Sequence, residues 1–236
     1  MIVLACETST LLGSVAVVKD QVVVAYKESL RQGSHSDVLN IFVESVLSEA
    51  KIKLADIDLF ASGIGPGSFT GIRISLNTIK SFSFCLQKPC VGIDSLVNLA
   101  SQCAEQELLD KPIVAMINAY KNMVYVATYR KEKDNLVVVK NPAVVRVQHL
   151  DAYLESESYL IGDGYTAYKN FLDLNIKVNI IRPSIVCDEP NAKTLATLAA
   201  ATDPQKRSSW SQLIPIYLRE SEAEENAKGI KYEPLF

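Results

Sequence analysis

One stretch limits the folds open to this chain more than any other: Gly63-Ile64-Gly65-Pro66-Gly67-Ser68-Phe69-Thr70-Gly71-Ile72-Arg73, running on without a breaker from Ile74 to Leu86. Leu59 to Ser62 supply a short apolar strand end before it. Gly63, Gly65 and Gly67 open backbone angles closed to other residues, and Pro66 fixes one φ among them. Ser68 is a suitable N-cap for the helix that follows. Within that helix Gly71, Ser75, Thr78 and Ser81 recur three or four apart, beside a larger apolar set at Ile72, Leu76, Ile79 and Phe82. Small residues let a second backbone come close, and a glycine turn at a helix start offers free N–H groups to an anion. The stretch therefore reads as a phosphate grip, a helix-docking face, or a tight βα turn of an ordinary α/β sheet.

The rest of the chain supplies that sheet. Ile2–Cys6, Ser14–Val18 and Val22–Tyr26 read as a three-stranded meander, with Asp20-Gln21 as its tight turn. Ser34 with Asp37 forms a capping-box pattern ahead of Val38, Leu39, Phe42, Val43, Val46 and Leu47 at helical spacing. After the glycine stretch, Pro89 ends the helix, Val91–Ile93 is a strand, and Asp94 or Ser95 caps a helix to about Leu109. A second half begins with strands at 113–117, 124–129 and 136–139. It continues with a short helix at 149–154, a strand at 159–161, a helix at 165–172, a strand at 176–181 and an alanine-rich helix at 192–201. The expected division is a lobe at 1–109, a lobe at 110–214 and a C-terminal segment and tail at 215–236, the acidic tail from Ser221 being expected to be mobile.

Composition excludes more than it selects. The net charge is −3 and no long basic stripe appears, which argues against independent binding of nucleic acid. Five cysteines, an odd number with no CxxC pair, read as thiols in a reducing compartment. With no apolar run of membrane length, the expected location is the cytoplasm. The two histidines, His35 and His149, lie far apart and do not suggest a metal site. The sequence Gly65-Pro66-Gly67-Ser68 is not a nucleophile elbow. Two turns could face a nucleotide: Glu7-Thr8-Ser9-Thr10 after the first strand, and Gly162-Asp163-Gly164. Each reads equally well as a plain structural turn.

Residues 1–18, the His35-Ser36 helix start, GIGPGSFTGIR at 63–73, and Ile214 to Arg219 with Ala223-Glu224 resemble the TsaB (YeaZ) family across nearly the whole chain. The resemblance implies an α/β fold of the actin/Hsp70/sugar-kinase (ASKHA) type, with two lobes of βββαβα order. It implies a role in placing threonylcarbamoyl on N6 of the adenosine next to the anticodon in tRNAs that read codons beginning with A. The implied partners are a catalytic TsaD-like subunit and a TsaE-like ATPase, with tRNA reached only through the complex, a homodimer when alone, and no membrane. The small residues of the second helix and an apolar stripe on the first, wider than one sheet face requires, make the expected docking face a helix pair at about 35–50 and 68–86, with Leu39, Phe42, Val43, Val46, Gly71, Ser75, Thr78, Ile79 and Phe82 at the interface. No cofactor is expected on the chain alone; ATP or ADP with magnesium would belong to the joint with the partners.

In TsaD relatives a strand after the glycine helix leads to an HxxxH metal pair. The matching positions here are Ser95 and Leu99, and leucine offers no donor atom while serine is a poor one. The resemblance therefore implies a chain with no catalytic residues and no metal. Two features depart from the family pattern: Asn118-Ala119-Tyr120 stands where a DAR motif is usual, and Glu7 where aspartate is commoner. The competing readings are an ATP-dependent kinase or ATPase of the same fold, and an M22-like peptidase.

Overall fold

The computed structural model describes residues 1–30, 36–104, 110–133, 135–184, 188–220, 224, 227 and 228. His35, Ser34, Cys187 and most of the acidic tail lie outside this set, so the expectations placed on them do too. The chain forms two compact units. The first comprises 1–98 with 190–216, the second 99–189 with 217–236.

In the first unit β1 (Ile2–Glu7), β2 (Leu12–Lys19) and β3 (Val22–Leu30) form the expected meander, and β4 (Leu59–Gly63) and β5 (Cys90–Ile93) complete a sheet of order β3-β2-β1-β4-β5. β1 runs parallel to β4, and β4 to β5. Asp20 and Gln21 both have positive φ, the geometry of a two-residue hairpin turn. β1 is apolar from Ile2 to Cys6 because both of its faces are covered. Leu4 and Cys6 point to a core closed by α1 (Ser36–Ala50) and α2 (Phe69–Leu86). Val3 and Ala5 point to a second core closed by α5 (Ala192–Ala201). On α5, Ala192, Ala196, Ala199 and Ala200 are buried, and their small side chains let the helix lie close on the strands.

The helix α5 corrects the expected division into consecutive lobes. It belongs to the first unit although it follows the whole of the second in sequence. Its start is tied back by the Ala192 N–H on Ser14 Oγ (2.9 Å), and by Asn98, which donates to the Asn191 carbonyl (2.9 Å) and accepts from the Asn191 N–H (3.2 Å). The boundary between the units falls within α3 (Ser95–Ala104), short of the predicted end near Leu109, which lies outside the described residues.

In the second unit β6 (Ile113–Asn118), β7 (Met123–Glu132), β8 (Asn135–Arg146), β9 (Glu157–Ile161) and β10 (Asn179–Ile181) give the order β10-β9-β6-β7-β8. The helix α4 (Asp163–Asn175) packs on β6 and β9 over a core including Met116, Leu160, Phe171 and Leu172. The sequence understated β8: the strand predicted over 136–139 runs from Asn135 to Arg146, through Pro142. β8 is an edge strand, where proline costs no ladder hydrogen bond. The helix expected at 149–154 is a 3₁₀ stretch at Val147–Tyr153. Strand order thus repeats between units, each a meander followed by two parallel strands.

Candidate functional site

The glycine turn and the turn after β1 meet where β1, β4 and β5 all end, the end of a parallel array where α/β folds place ligands. Glu7 is the last residue of β1 and is fully buried. Its Oε1 accepts from the Ser9 N–H at 2.8 Å, while Oε2 has no hydrogen-bond partner. A Cβ at Gly63 would lie 2.1 Å from Oε2, so only glycine at the end of β4 leaves room for this carboxylate. Burial raises the Glu7 carboxyl to about 7, against the hydrogen bonds from Ser9 and Thr8, and the nearby Asp94 raises it further. Burial also lifts Asp94 to about 6, although its Oδ1 caps α3 by accepting from the Leu96 and Val97 N–H groups (2.7 and 3.1 Å). Cys6, next to Glu7, is pushed far above the usual thiol range by burial and then by that carboxylate.

Thr8 and Ser9 explain Gly71 and Gly67, while Gly65 has φ +92° with Ile72 and the Ile216 carbonyl against it. Thr8 Oγ1 donates to the Gly71 carbonyl (2.7 Å), and a Cβ on Gly71 would stand 1.9 Å from the Thr8 carbonyl oxygen. The Ser68 N–H donates to the Ser9 carbonyl (2.7 Å), and a Cβ on Gly67 would meet that oxygen at 2.2 Å. The Gly65–Pro66 peptide is cis, and the Gly65 carbonyl accepts from the Ser95 N–H at 2.8 Å. Ser68 caps α2 as expected, accepting from the Gly71 N–H at 3.2 Å. The close backbone approach that the glycines imply is therefore made by the chain's own first turn.

This changes the basis of the expected docking face. Leu39, Val43 and Val46 of α1, and Gly71, Ser75 and Ile79 of α2, are buried within the first unit. Phe42 and Phe82 pack against the same core, Phe82 with its ring 5.8 Å from that of Phe60, and Thr78 is half-buried. Ser75 Oγ lies among Ser62 Oγ (3.2 Å), the Ile72 carbonyl (3.2 Å) and the Gly63 carbonyl (3.4 Å). The small residues do not make one outward stripe: Gly71 and Ser75 face inward, and Ser81 is exposed. Apolar surface on these helices lies elsewhere, at Ile41 (60% exposed) and Phe84 (53%). Phe84 meets Trp210 edge-on at 5.2 Å, in a groove of about 390 Å³ lined also by Asn77, Lys80 and Ser81.

The second glycine turn belongs to the other unit. Gly162 has φ +101°, and a Cβ there would lie 1.9 Å from the Met116 carbonyl oxygen, so the position demands glycine twice over. Gly164 also packs closely against Met116. The Gly162 N–H donates to Asp188 Oδ1 (3.1 Å), which also takes Arg182 (2.7 Å), and Thr166 donates to Oδ2 (3.2 Å). Arg182 stacks over Tyr165 at 4.3 Å and donates to the Leu160 carbonyl. Asp163 Oδ1 accepts from the Asn118 N–H (2.8 Å); burial and then Asp188 hold its carboxyl up, at about 6. The Ser68 and Gly162 N–H groups, which a phosphate would use, are thus already engaged. Sequence reasoning names Asp94 as a cap, Asp163 within its glycine turn and Arg219 at the end of a family-like stretch, but passes over Asp188; the partners of Asp163, Asp188 and Arg219 come from other elements, so no local pattern announces them.

Among the described residues no cluster of three or more His, Cys, Asp or Glu could hold a metal ion, and no helix is long and apolar enough to cross a membrane. His149 is exposed, in the 3₁₀ stretch.

A family model described as "TsaD: tRNA N6-adenosine threonylcarbamoyltransferase" matches residues 29–227. A protein of Buchnera aphidicola subsp. Schizaphis graminum named "tRNA threonylcarbamoyladenosine biosynthesis protein TsaB" is 33% identical, over 71% of this chain and 81% of its own length. The protein of that name in Escherichia coli K12 is 27% identical, over 97% of this chain and 99% of its own. The solved structure of YeaZ from Pseudomonas aeruginosa superposes with a TM-score of 0.79 at 25% identity, covering 92% of this chain and 99% of that one. With the repeated strand order of the two units, this likeness makes the fold actin/Hsp70/sugar-kinase-like.

Proposed function

The chain belongs to the TsaB (YeaZ) family of tRNA threonylcarbamoyladenosine biosynthesis proteins, and from that premise we propose that it is a non-catalytic partner subunit of the enzyme that makes this modification. The catalytic step, transfer of threonylcarbamoyl to N6 of the adenosine beside the anticodon, is assigned to a TsaD-like subunit, with a TsaE-like ATPase joining the assembly in the cytoplasm. The observation that carries this reading is the pair of positions on α3 where the TsaD pattern would place its metal histidines. Ser95 and Leu99 stand there, both fully buried, and the leucine has no donor atom to give.

The docking surface we assign is the outward side of α1 and α2, where Ile41, Phe84 and the neighbouring Trp210 leave apolar area uncovered. Alone, the chain would cover that area by pairing with a second copy. It would hold no nucleotide by itself, in keeping with the engaged Ser68 and Gly162 N–H groups. ATP or ADP with magnesium would belong to the joint with the partners.

The test is reconstitution. The purified chain, an unmodified tRNA transcript and threonylcarbamoyl-adenylate should give no modified nucleoside by mass spectrometry. Adding the TsaD-like and TsaE-like proteins should give modification, and leaving this chain out should reduce it at least tenfold. Modification by the chain alone would overturn the reading, and so would sustained substrate-dependent ATP turnover, which would favour a kinase of the same fold.

A further inference from the structure

The turn joining β6 to β7 holds three consecutive residues with side chains in the left-handed region: Tyr120 (φ +56°), Lys121 (+51°) and Asn122 (+62°). Lys121 and Asn122 are the central pair of the hairpin turn closed by the Met123 N–H on the Tyr120 carbonyl (3.0 Å), where positive φ is the rule. Tyr120 lies outside that pair. A residue with a Cβ is disfavoured there, so its conformation has to be imposed by its surroundings.

The Tyr120 N–H donates to Asn118 Oδ1 (2.9 Å), and the Ala119 N–H to the Met123 carbonyl (3.0 Å). The Val147 N–H donates to the Asn122 carbonyl (3.0 Å). Arg219 donates to the Ala119 carbonyl, and Asp163 takes the Asn118 N–H. Groups from β8's end, α4 and the 217–220 segment thus fix the backbone from several sides. The side chain that this framework displays is left in solvent: Tyr120 is 60% exposed. Among the described residues three cations are placed at this turn: Lys121 is on it, Arg146 pairs in register with Met123, and Arg219 donates to the Ala119 carbonyl. Two described acids lie close in the same network, Asp163 at the Asn118 N–H and Glu220, which is paired with Lys228.

An exposed aromatic ring on a backbone fixed from several sides, with cations on the same turn, suits an unpaired nucleobase stacked on the ring with its phosphates at the cations. We infer that Tyr120 is a base-stacking contact for single-stranded RNA, the loop of the substrate tRNA, within the assembled complex. The inference rests on the partner-subunit reading above. The net charge of −3 makes the contact too weak to show without the partner.

The experiment measures the anisotropy of a labelled, unmodified tRNA transcript against the preassembled complex with the TsaD-like subunit, using wild type, Tyr120→Ala and Tyr120→Phe, with assembly followed separately by size exclusion. Loss of one stacked base weakens binding by about tenfold or more. Tyr120→Ala should show that loss with assembly intact, and Tyr120→Phe should bind within twofold of wild type. Unchanged affinity in Tyr120→Ala would overturn the inference alone. Loss of assembly in that variant would overturn it too, making the turn a protein contact. A wild-type chain that does not assemble would overturn the partner-subunit reading and this contact with it.

Discussion

Each unit has a glycine turn at the carboxyl end of parallel strands, and the two are closed in different ways. In the first unit the turn is filled by the neighbouring turn: the carbonyls of Thr8 and Ser9 press onto Gly71 and Gly67, and the Glu7 carboxylate fills the space beside Gly63. In the second, Gly162 sits against the Met116 carbonyl, and its N–H is met by Asp188 from 26 residues away. The first closure is backbone against backbone, around a carboxyl group that burial lifts to about 7. The second is an ion pair with an arginine, part of it open to water. Both positions are therefore specified by shape, and the second by charge as well.

Adding one methyl group at each turn tests the close approaches made in both units. Gly162→Ala must accommodate a Cβ 1.9 Å from the Met116 oxygen and also adopt φ +101°. Gly71→Ala meets the same distance from the Thr8 oxygen within an ordinary helix. Overpacking costs about 1–3 kcal/mol, with a forbidden backbone region adding about 1–3 more. Gly162→Ala should therefore lose about 4 kcal/mol and Gly71→Ala about 3, as measured by denaturant unfolding. Equal losses would show that backbone strain at Gly162 contributes nothing.

The charge buried in the first unit gives a pH dependence. The Glu7 carboxyl stands at about 7 in the folded protein against 4.5 as its ordinary value. Between those values the folded state binds the extra proton, so stability falls as pH rises from 4.5 to 7 and is level above. The total has an upper bound of about 3 kcal/mol. Asp94 and Asp163, both near 6, add slopes of the same sign that fade between pH 6 and 7. Across that window Glu7 contributes about 1 kcal/mol and the two aspartates together roughly 0.7. Wild type should therefore lose about 1 kcal/mol more than Glu7→Gln from pH 6 to 7, and Glu7→Gln should be the more stable protein at pH 8. Equal losses in the two proteins would mean that Glu7 stays charged at neutral pH.

Legibility in the sequence follows the same division. The meander, α2 with its Ser68 cap, and α5 to the residue could be read because each depends on local chemistry: period, turn residues, caps. The crowding at Gly71 and Gly67 could be read as a close approach, but not as an approach by residues 8 and 9. A stripe of small residues records that something comes near without recording what. The apolar positions of α1 suggest a docking stripe, yet Leu39, Val43 and Val46 are all buried in the core that this helix closes. In the second unit almost nothing at the turn was legible, because Arg182 and Asp188 carry no local pattern that relates them to Gly162. The return of α5 to the first unit was hidden for the same reason: an alanine-rich helix says that it packs closely, not on which sheet.

The finest test compares how the two helices at these turns are started. α2 has its own side-chain cap, Ser68 on the Gly71 N–H at 3.2 Å. α4 begins at Gly162 with no side-chain cap, and the Gly162 N–H is served by Asp188. Removing Asp188's charge in Asp188→Asn takes a charged partner from Arg182 and turns a donor toward Thr166, a loss of about 1–2 kcal/mol for hydrogen bonds of this kind. Arg182 keeps the Leu160 carbonyl and its stacking on Tyr165, which limits the damage. Ser68→Ala should cost less, about 0.5–1 kcal/mol, because the Ser9 carbonyl still holds the Ser68 N–H and the lost bond is long. Hydrogen exchange locates the two effects: amides of the first turn of α4 should open in Asp188→Asn and those of the first turn of α2 in Ser68→Ala. If Ser68→Ala proves the more costly, the first turn depends on its cap as much as on its packing, and the contrast between closure by shape alone and closure by shape with charge fails.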